Sequence, residues 1–315
     1  MREIITFGKY YKKRIKKRVK KIPLGLSGFT CPNIDGRVAK GGCTFCENES
    51  FAPNLGKSKK FFLNPDTKEN PLLQKQIQEI EFQYSATAGY YRQKGYEKFL
   101  AYFQAFTNTY APLDTLQKLY EHALSQEDCI GLSIGTRSDS VSEEVLDYLA
   151  KLSSAYEIWI EYGIQSVFDE TLEKINRGHD SKSVEEWIKR SKDKGLKVCG
   201  HVIFGLPGEN QEMMLQTVQK AVEWGIDSIK IHPLYVVKNT ALAVDYMKGR
   251  FTPITQDLYI DTLLKAFDIL PKDMVVQRVT AGIGDSSLLG PSWCADKNAQ
   301  LRSIRQALIK KGLKY

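Results

Sequence analysis

Gly28-Phe29-Thr30-Cys31-Pro32-Asn33, followed by Gly41-Gly42-Cys43-Thr44-Phe45-Cys46, places three cysteines in the spacing C-x11-C-x2-C. The chain has six cysteines, at 31, 43, 46, 129, 199 and 294, and only these three cluster. Glycines at 36, 41 and 42 and prolines at 32 and 53 mark the segment as a loop. Such a loop can bend until three thiolates face one point, and thiolates are ligands for zinc and for iron–sulfur clusters. Cys43-x2-Cys46 is half of a common zinc pattern, but a closed zinc site takes four ligands. The fourth would have to come from His122, His179, His201, His232 or a remote cysteine. On a four-iron cube, three thiolates leave one iron open to a small molecule. Disulfide pairing fits poorly, because stapled folds are short secreted domains and this chain has 315 residues.

Hydrophobic residues make up 42% of the chain and charged residues 26%, the balance of a soluble globular protein. No apolar run is long enough to span a bilayer, and Met1-Arg2-Glu3-Ile4-Ile5-Thr6 has no secretory pattern. The expected setting is a reducing cytoplasm with no membrane partner. The net charge of +8 is local: residues 9–21 hold nine Lys or Arg and no acid, against 36 basic and 37 acidic residues elsewhere. A block of this kind points to nucleic acid through phosphate neutralisation. Lys12, Lys13, Arg14, Lys16, Lys17 and Arg18 are the expected RNA contacts, with Tyr10 and Tyr11 as stacking rings. A solvated arm without a partner is the alternative. The position of the run, directly before the cysteine loop, is what ties it to the chemistry.

Downstream, short apolar strands alternate with amphipathic helices. The strands are expected at 22–29, 99–106, 129–136, 157–166, 197–206 and 228–236, and the helices at 71–84, 113–124, 143–155, 170–194 (two pieces) and 212–224. Ser140-x-x-Glu143 and Ser183-x-x-Glu186 read as capping boxes. Nearly continuous apolar strands are those of a parallel sheet covered on both faces. The fold class is therefore α/β: a partial (β/α)6 TIM-like barrel over residues 22–240, a basic N-terminal arm over 1–21, and a C-terminal α/β extension over 241–315. The extension should contain a helix at 256–270, a strand at 274–281 and a last helix at 299–311.

Barrel active sites form at the C-terminal ends of the strands, where the polar motifs of this chain fall. The first strand runs into the cysteine loop. The next ones end in Gln104-Ala105-Phe106-Thr107-Asn108, Gly135-Thr136-Arg137, Glu161-Tyr162-Gly163-Ile164-Gln165-Ser166, His201-Val202-Ile203-Phe204-Gly205-Leu206-Pro207-Gly208 and His232-Pro233-Leu234-Tyr235.

Taken together, these residues resemble the radical S-adenosylmethionine (SAM) enzymes, in the branch of the elongator catalytic subunit and the oxygen-independent coproporphyrinogen oxidase. Within it the chain is similar to the YhcC/YtqA family over nearly its whole length. The resemblance is carried by Gly-Phe-Thr-Cys-Pro-Asn at 28–33, the cysteine triad with Phe45 before Cys46, Gly-Thr-Arg at 135–137, Gln165-Ser166 and Gly-Leu-Pro-Gly at 205–208. It implies that Cys31, Cys43 and Cys46 ligate a [4Fe–4S] cluster whose open iron takes SAM. Arg177 would hold the SAM carboxylate, Gln165 would contact SAM, Phe45 would lie near adenine and His201 near ribose. Gln104, Asn108, Ile203 and Leu234 complete the implied cofactor-binding set. Gln104-Ala105-Phe106 stands where the family branch has Gly-Gly-Glu, and Glu209 falls one residue late against its adenine motif.

The family likeness also implies a reaction on tRNA, with a 5′-deoxyadenosyl radical converting 5-carboxymethylaminomethyluridine at the wobble position to 5-aminomethyluridine. A low-potential donor such as flavodoxin or ferredoxin would supply the electron. An arginine facing the cavity would hold the substrate carboxylate, and Arg137 and Arg278 are the candidates; a structural ion pair is the alternative for each. The same chemistry on a small molecule, and a non-catalytic zinc protein that binds RNA, are the competing readings.

Overall fold

A computed structural model describes residues 1–47 and 61–315; Pro53, read as part of the cysteine loop, lies outside the described residues. Eight parallel strands curl into a half-barrel in the spatial order β2 (Ile5–Thr6), β10 (Val275–Arg278), β8 (Ser228–Pro233), β7 (Lys197–Phe204), β6 (Glu157–Gln165), β5 (Cys129–Thr136), β4 (Lys98–Phe103) and β3 (Val19–Leu24). Two small pairings lie outside it. β1 (Arg2–Glu3) runs parallel to β12 (Leu313–Lys314), and β9 (Val236–Val237) runs antiparallel to β11 (Leu288–Gly290).

The helices that cover the sheet follow the expected alternation: α2 (Leu73–Arg92), α3 (Leu113–Leu124), α4 (Glu143–Ser153), α5 (Asp169–Lys174), α6 (Ser181–Asp193) and α7 (Gln211–Glu223). After them come α8 (Ala241–Met247), α9 (Gln256–Ile269) and α10 (Lys297–Lys310). The caps differ from the sequence reading. Ser142, not Ser140, accepts from Val145 N to start α4, and Asp180 accepts from Ser183 N to start α6. In each case the capping oxygen belongs to the residue immediately before the first helical position, where it reaches the open N–H groups.

Six strands were expected in the barrel sheet, with a seventh in the extension, and eight join the sheet. The two additional ones come from the chain ends: β10 pairs with the open edge of β8, and β2 pairs with β10. An uncovered β8 edge would leave a row of unpaired backbone groups, so the C-terminal segment completes the sheet instead of standing beside it.

The basic segment is likewise no free arm. Between β2 and β3, which are the two edges of the sheet, lies α1 (Phe7–Ile15), about 13 Å long at 1.5 Å per residue. Thr6 caps it by accepting from Lys9 N. Tyr11 is fully buried among Val19, Leu100, Trp159 and Cys199, and its hydroxyl accepts from Trp159 Nε1 at 2.9 Å. The helix therefore closes the N-terminal end of the barrel, held from outside by Arg14 to Glu157 at 2.8 Å and by Lys17 to Glu97 at 2.5 Å.

Side chains alternate across a strand with period two, so the barrel interior fills in layers. Leu100, Trp159 and Cys199 form the lowest layer against Tyr11. Two residues further along their strands come Tyr102, Glu161 and His201, and then Gln104, Gly163 and Ile203 at the open end. Truncating the plug, Tyr11→Ala, is expected to cost about 3–5 kcal/mol of stability, whereas Lys12→Ala on the exposed face of α1 should stay within about 0.5 kcal/mol; urea denaturation of both variants checks this.

Candidate active site

Cys31, Cys43 and Cys46 line one cavity of about 250 Å³ at the C-terminal end of the barrel. Their loop is shaped by its own turns: Ile34 N and Asp35 N bond to Cys31 O, and Cys46 N bonds to Cys43 O. It is then pinned to the segment after α5. Thr44 N bonds to Ile175 O at 3.0 Å, and Asn176 Nδ2 donates to Lys40 O and Gly42 O at 3.0 and 2.8 Å. Asn33 Nδ2 donates to Asn176 O and stands 3.6 Å from Cys43 Sγ. A Cβ on Gly178 would come within 2.5 Å of Asn33 Oδ1, and Gly178 has φ +80°, so glycine alone fits this close approach. The clamp by Asn33, Asn176 and Gly178 was not read from the sequence, since its partners lie more than 130 positions apart.

The cysteines face an arginine-rich wall. Arg177 is buried, with Nη2 donating to Gly163 O at 2.8 Å, Nη1 at 3.7 Å from Cys43 Sγ, and Nε without a partner. Gln165 has φ +65° and an unpartnered, buried Oε1. A Cβ on Gly163 would strike Arg177 Nη2 at 2.7 Å and Gln165 Nε2 at 2.8 Å, so the missing side chain is what lets both reach the cavity. Burial, then the neighbouring Cys43 and Cys31, push the Cys46 thiol up. Three cysteine sulfurs beside buried guanidinium groups make a site for a thiolate-held metal group.

Among the described residues, the trio of ligand atoms lying within 4.8 Å of one another is Glu161, Cys199 and His201, not the three loop sulfurs. The Glu161 trio is no metal site, because lysines already occupy both carboxylate oxygens.

The sequence placed that carboxylate, Glu161, at a strand end but assigned it no role. Glu161 is fully buried; Oε1 takes Lys21 Nζ and Ser133 Oγ, while Oε2 takes Lys230 Nζ and His201 Nε2, the last at 2.7 Å. Lys21 also donates to Gln277 Oε1 at 2.5 Å, and Lys230 donates to Tyr102 OH at 2.9 Å. Burial would raise the Glu161 carboxyl, but Lys21 and Lys230 hold it well below the usual range. Burial pushes Lys21 down to about 8 and, with Lys230, His201 down to about 4, so the imidazole is neutral. The available signal was charge at inward positions of otherwise apolar strands, Trp159-Ile160-Glu161 and Ile229-Lys230-Ile231.

Of the expected residues, Phe45, Gln104, Arg137, Gln165, Arg177, His201, Ile203, Leu234 and Arg278 all line the cavity with the cysteines. Phe45, Ile203 and Leu234 share one apolar cluster with Leu172, Ile175 and Leu206. Asn108 does not face the cavity: its side-chain amide and backbone N–H both bond Gly135 O at 3.0 Å, making it a strut between loops. His201 has its Nε2 committed to Glu161. Arg137 is a structural pair, bidentate to Asp139 at 2.8 and 2.6 Å with a further bond to Arg177 O.

Lys12, Lys13, Arg14, Lys16, Lys17 and Arg18 belong to the other end of the barrel. Nearness in sequence did not carry over into space, because β3 carries the chain about 20 Å from α1 to the cysteine loop at 3.3 Å per residue. Lys21, counted with the basic run, is an interior residue.

A Radical SAM superfamily profile matches residues 34–221, and a Radical_SAM C-terminal domain profile matches residues 226–310. The chain belongs to the radical SAM superfamily. Protein YhcC of Escherichia coli is 35% identical over 308 residues, covering 98% of this chain and 93% of that protein. The tRNA uridine(34) acetyltransferase of Methanocaldococcus infernus is 33% identical over 177 residues, which is 54% of this chain and 32% of that enzyme. The archaeal Methanocaldococcus infernus Elp3 structure superposes with a TM-score of 0.61 over 94% of this chain and 64% of that one, at 19% identity, so it shares the fold. Radical SAM proteins use a [4Fe–4S] cluster and SAM. The three cysteines on one cavity and the orphaned polar atoms of Gln165 and Arg177 fit both groups. No described helix is long and apolar enough to cross a membrane.

Cys43→Ala is expected to abolish iron retention and the visible charge-transfer absorption after anaerobic reconstitution, while Cys294→Ala, buried elsewhere, keeps both; iron analysis distinguishes them. Glu161→Gln leaves two buried ammonium groups without their counter-charge and should cost about 3–5 kcal/mol, read as a lowered denaturation midpoint.

Proposed function

We propose that this chain is a tRNA-modifying enzyme that converts 5-carboxymethylaminomethyluridine at the wobble position to 5-aminomethyluridine. The observation that carries the reading is the convergence, in one cavity, of the cysteine triad with Arg177, Gln165 and the apolar wall of Phe45, Ile203 and Leu234. It is joined to half-chain similarity with an enzyme named for tRNA uridine 34.

Cys31, Cys43 and Cys46 would hold the cluster, and Arg177 the amino-acid end of SAM through its free Nε, next to Cys43. When bound and reduced, this pair of cofactors supplies abstraction of a hydrogen atom from the substrate. The chain's own part is positional. The apolar wall packs a flat base, Gly163 leaves room for Arg177 and Gln165 to reach the ligand, and the α1 plug with the layers above it keeps water from entering below. A low-potential protein such as flavodoxin or ferredoxin would deliver the electron.

One observation favours the small-molecule alternative: the basic helix lies at the end of the barrel away from the cavity, so its charge does not by itself bring RNA to the chemistry. Nucleoside mass spectrometry of tRNA from a deletion strain separates the two. The expected result is accumulation of 5-carboxymethylaminomethyluridine with loss of 5-aminomethyluridine and its methylated product; unchanged wobble nucleosides would remove tRNA as the substrate.

A further inference from the structure

The floor of the cavity carries more positive charge than its own carboxylate balances. Glu161 is the one acid lining the cavity among the described residues, and its two oxygens are filled by Lys21, Ser133, Lys230 and His201. Two ammonium groups on one carboxylate leave a net charge of about +1 in a buried setting, where unbalanced charge is costly.

Arg278 adds to this excess. It stands at the end of β10 in register with Lys230 and lines the cavity. Arg278 is exposed, and its positive charge lowers both Lys230 and His232. His232 also lines the cavity, tilted against His201 with ring centroids 5.9 Å apart, and its buried Nε2 has no partner. Burial, then Arg278, His201 and Lys230, hold it neutral. Arg137, the other arginine considered for a substrate, binds Asp139 and Arg177 O through Nε and Nη2 and keeps only Nη1 without a partner.

A guanidinium on the cavity wall, a neutral imidazole whose buried Nε2 has no partner and a positive lysine–glutamate floor are together complementary to a small planar anion. A guanidinium fork matches a carboxylate in two parallel hydrogen bonds. We propose that Arg278 and His232, above the Lys21–Glu161–Lys230 cluster, form a carboxylate-binding subsite that selects the substrate by the anionic end of the side chain under attack. Arg278 anchors the carboxylate and His232 fixes its orientation. This deepens the proposed function and rests on the cavity being the reaction chamber, but it requires only a carboxylate-bearing substrate, not a tRNA.

The test uses the full chain with its cluster reconstituted, under anaerobic conditions. N-methylglycine, which carries an amine one carbon from a carboxylate, is compared with N-methylethylamine, which lacks the carboxylate, as stabilising ligands in thermal shift. The expected result is a concentration-dependent shift with N-methylglycine alone, at least tenfold weaker in its midpoint concentration for Arg278→Gln, partly restored in Arg278→Lys, and weakened in His232→Ala. SAM affinity measured on the same variants should stay within about threefold. Where a tRNA substrate turns over, Arg278→Gln should raise its KM about 10- to 100-fold, the range of a lost charged hydrogen bond. Equal shifts with both ligands, no shift with either, or an unchanged response in Arg278→Gln would overturn the proposal. Loss of SAM affinity in that variant would instead place Arg278 in the cofactor site. Failure of all tRNAs as substrates alongside a positive N-methylglycine result would overturn the tRNA reading and leave the subsite standing.

Discussion

Lys21 reaches from one edge of the sheet to its middle and to its far side. It sits on β3, yet its ammonium meets Glu161 on β6 and Gln277 on β10, while Lys230 on β8 takes the other oxygen of the same carboxylate. A flat parallel sheet would hold β3 and β10 six strand positions apart, about 28 Å at 4.7 Å per strand. The shared carboxylate therefore exists only when the sheet is curled, and it ties the curl to a definite register. Breaking it strands buried charge, which is more expensive than any single apolar contact nearby.

The rest of the site inherits that curl. With the strands bent around one axis, their period-two inward residues stack into layers, and the top layer is emptied by Gly135 and Gly163 in place of side chains. The cysteine loop then spans the opening and locks to Asn176 and Arg177 on the segment after α5, on the other side of the mouth from β3. One end of the barrel is closed by α1 and Tyr11. The other is closed by the loop that presents the sulfurs.

Charge within the molecule divides into distinct tasks. Arg137 and Asp139 are a closed pair supporting Arg177, so their contribution is geometric. Glu161 with its lysines is structural and electrostatic at once, since it both fastens strands and leaves the floor positive. Arg177 stands against Cys43 and Gly163 O, and Arg278 is the cavity arginine to which we give a ligand-binding role. The basic face of α1 is partly consumed by Glu157 and Glu97, and its exposed lysines look away from the chemistry.

From the sequence alone came the alternation of strands and helices, the parallel sheet, the cysteine triad and the strand-end residues, because each is a local pattern: apolar periodicity, glycine at a turn, thiolates at fixed spacing. Phe45, Gln165, Arg177, Ile203 and Leu234 were named through the family resemblance, and all five line the cavity. Tertiary structure alone decided the partners. That Lys21, Lys230 and His201 share Glu161 depends on how four strands come together, and the spacing of residues along the chain carries no such information. It also decided that a basic run adjacent in sequence to the cysteines lies a full strand length from them, since a strand separates its two ends in space while leaving them neighbours in order.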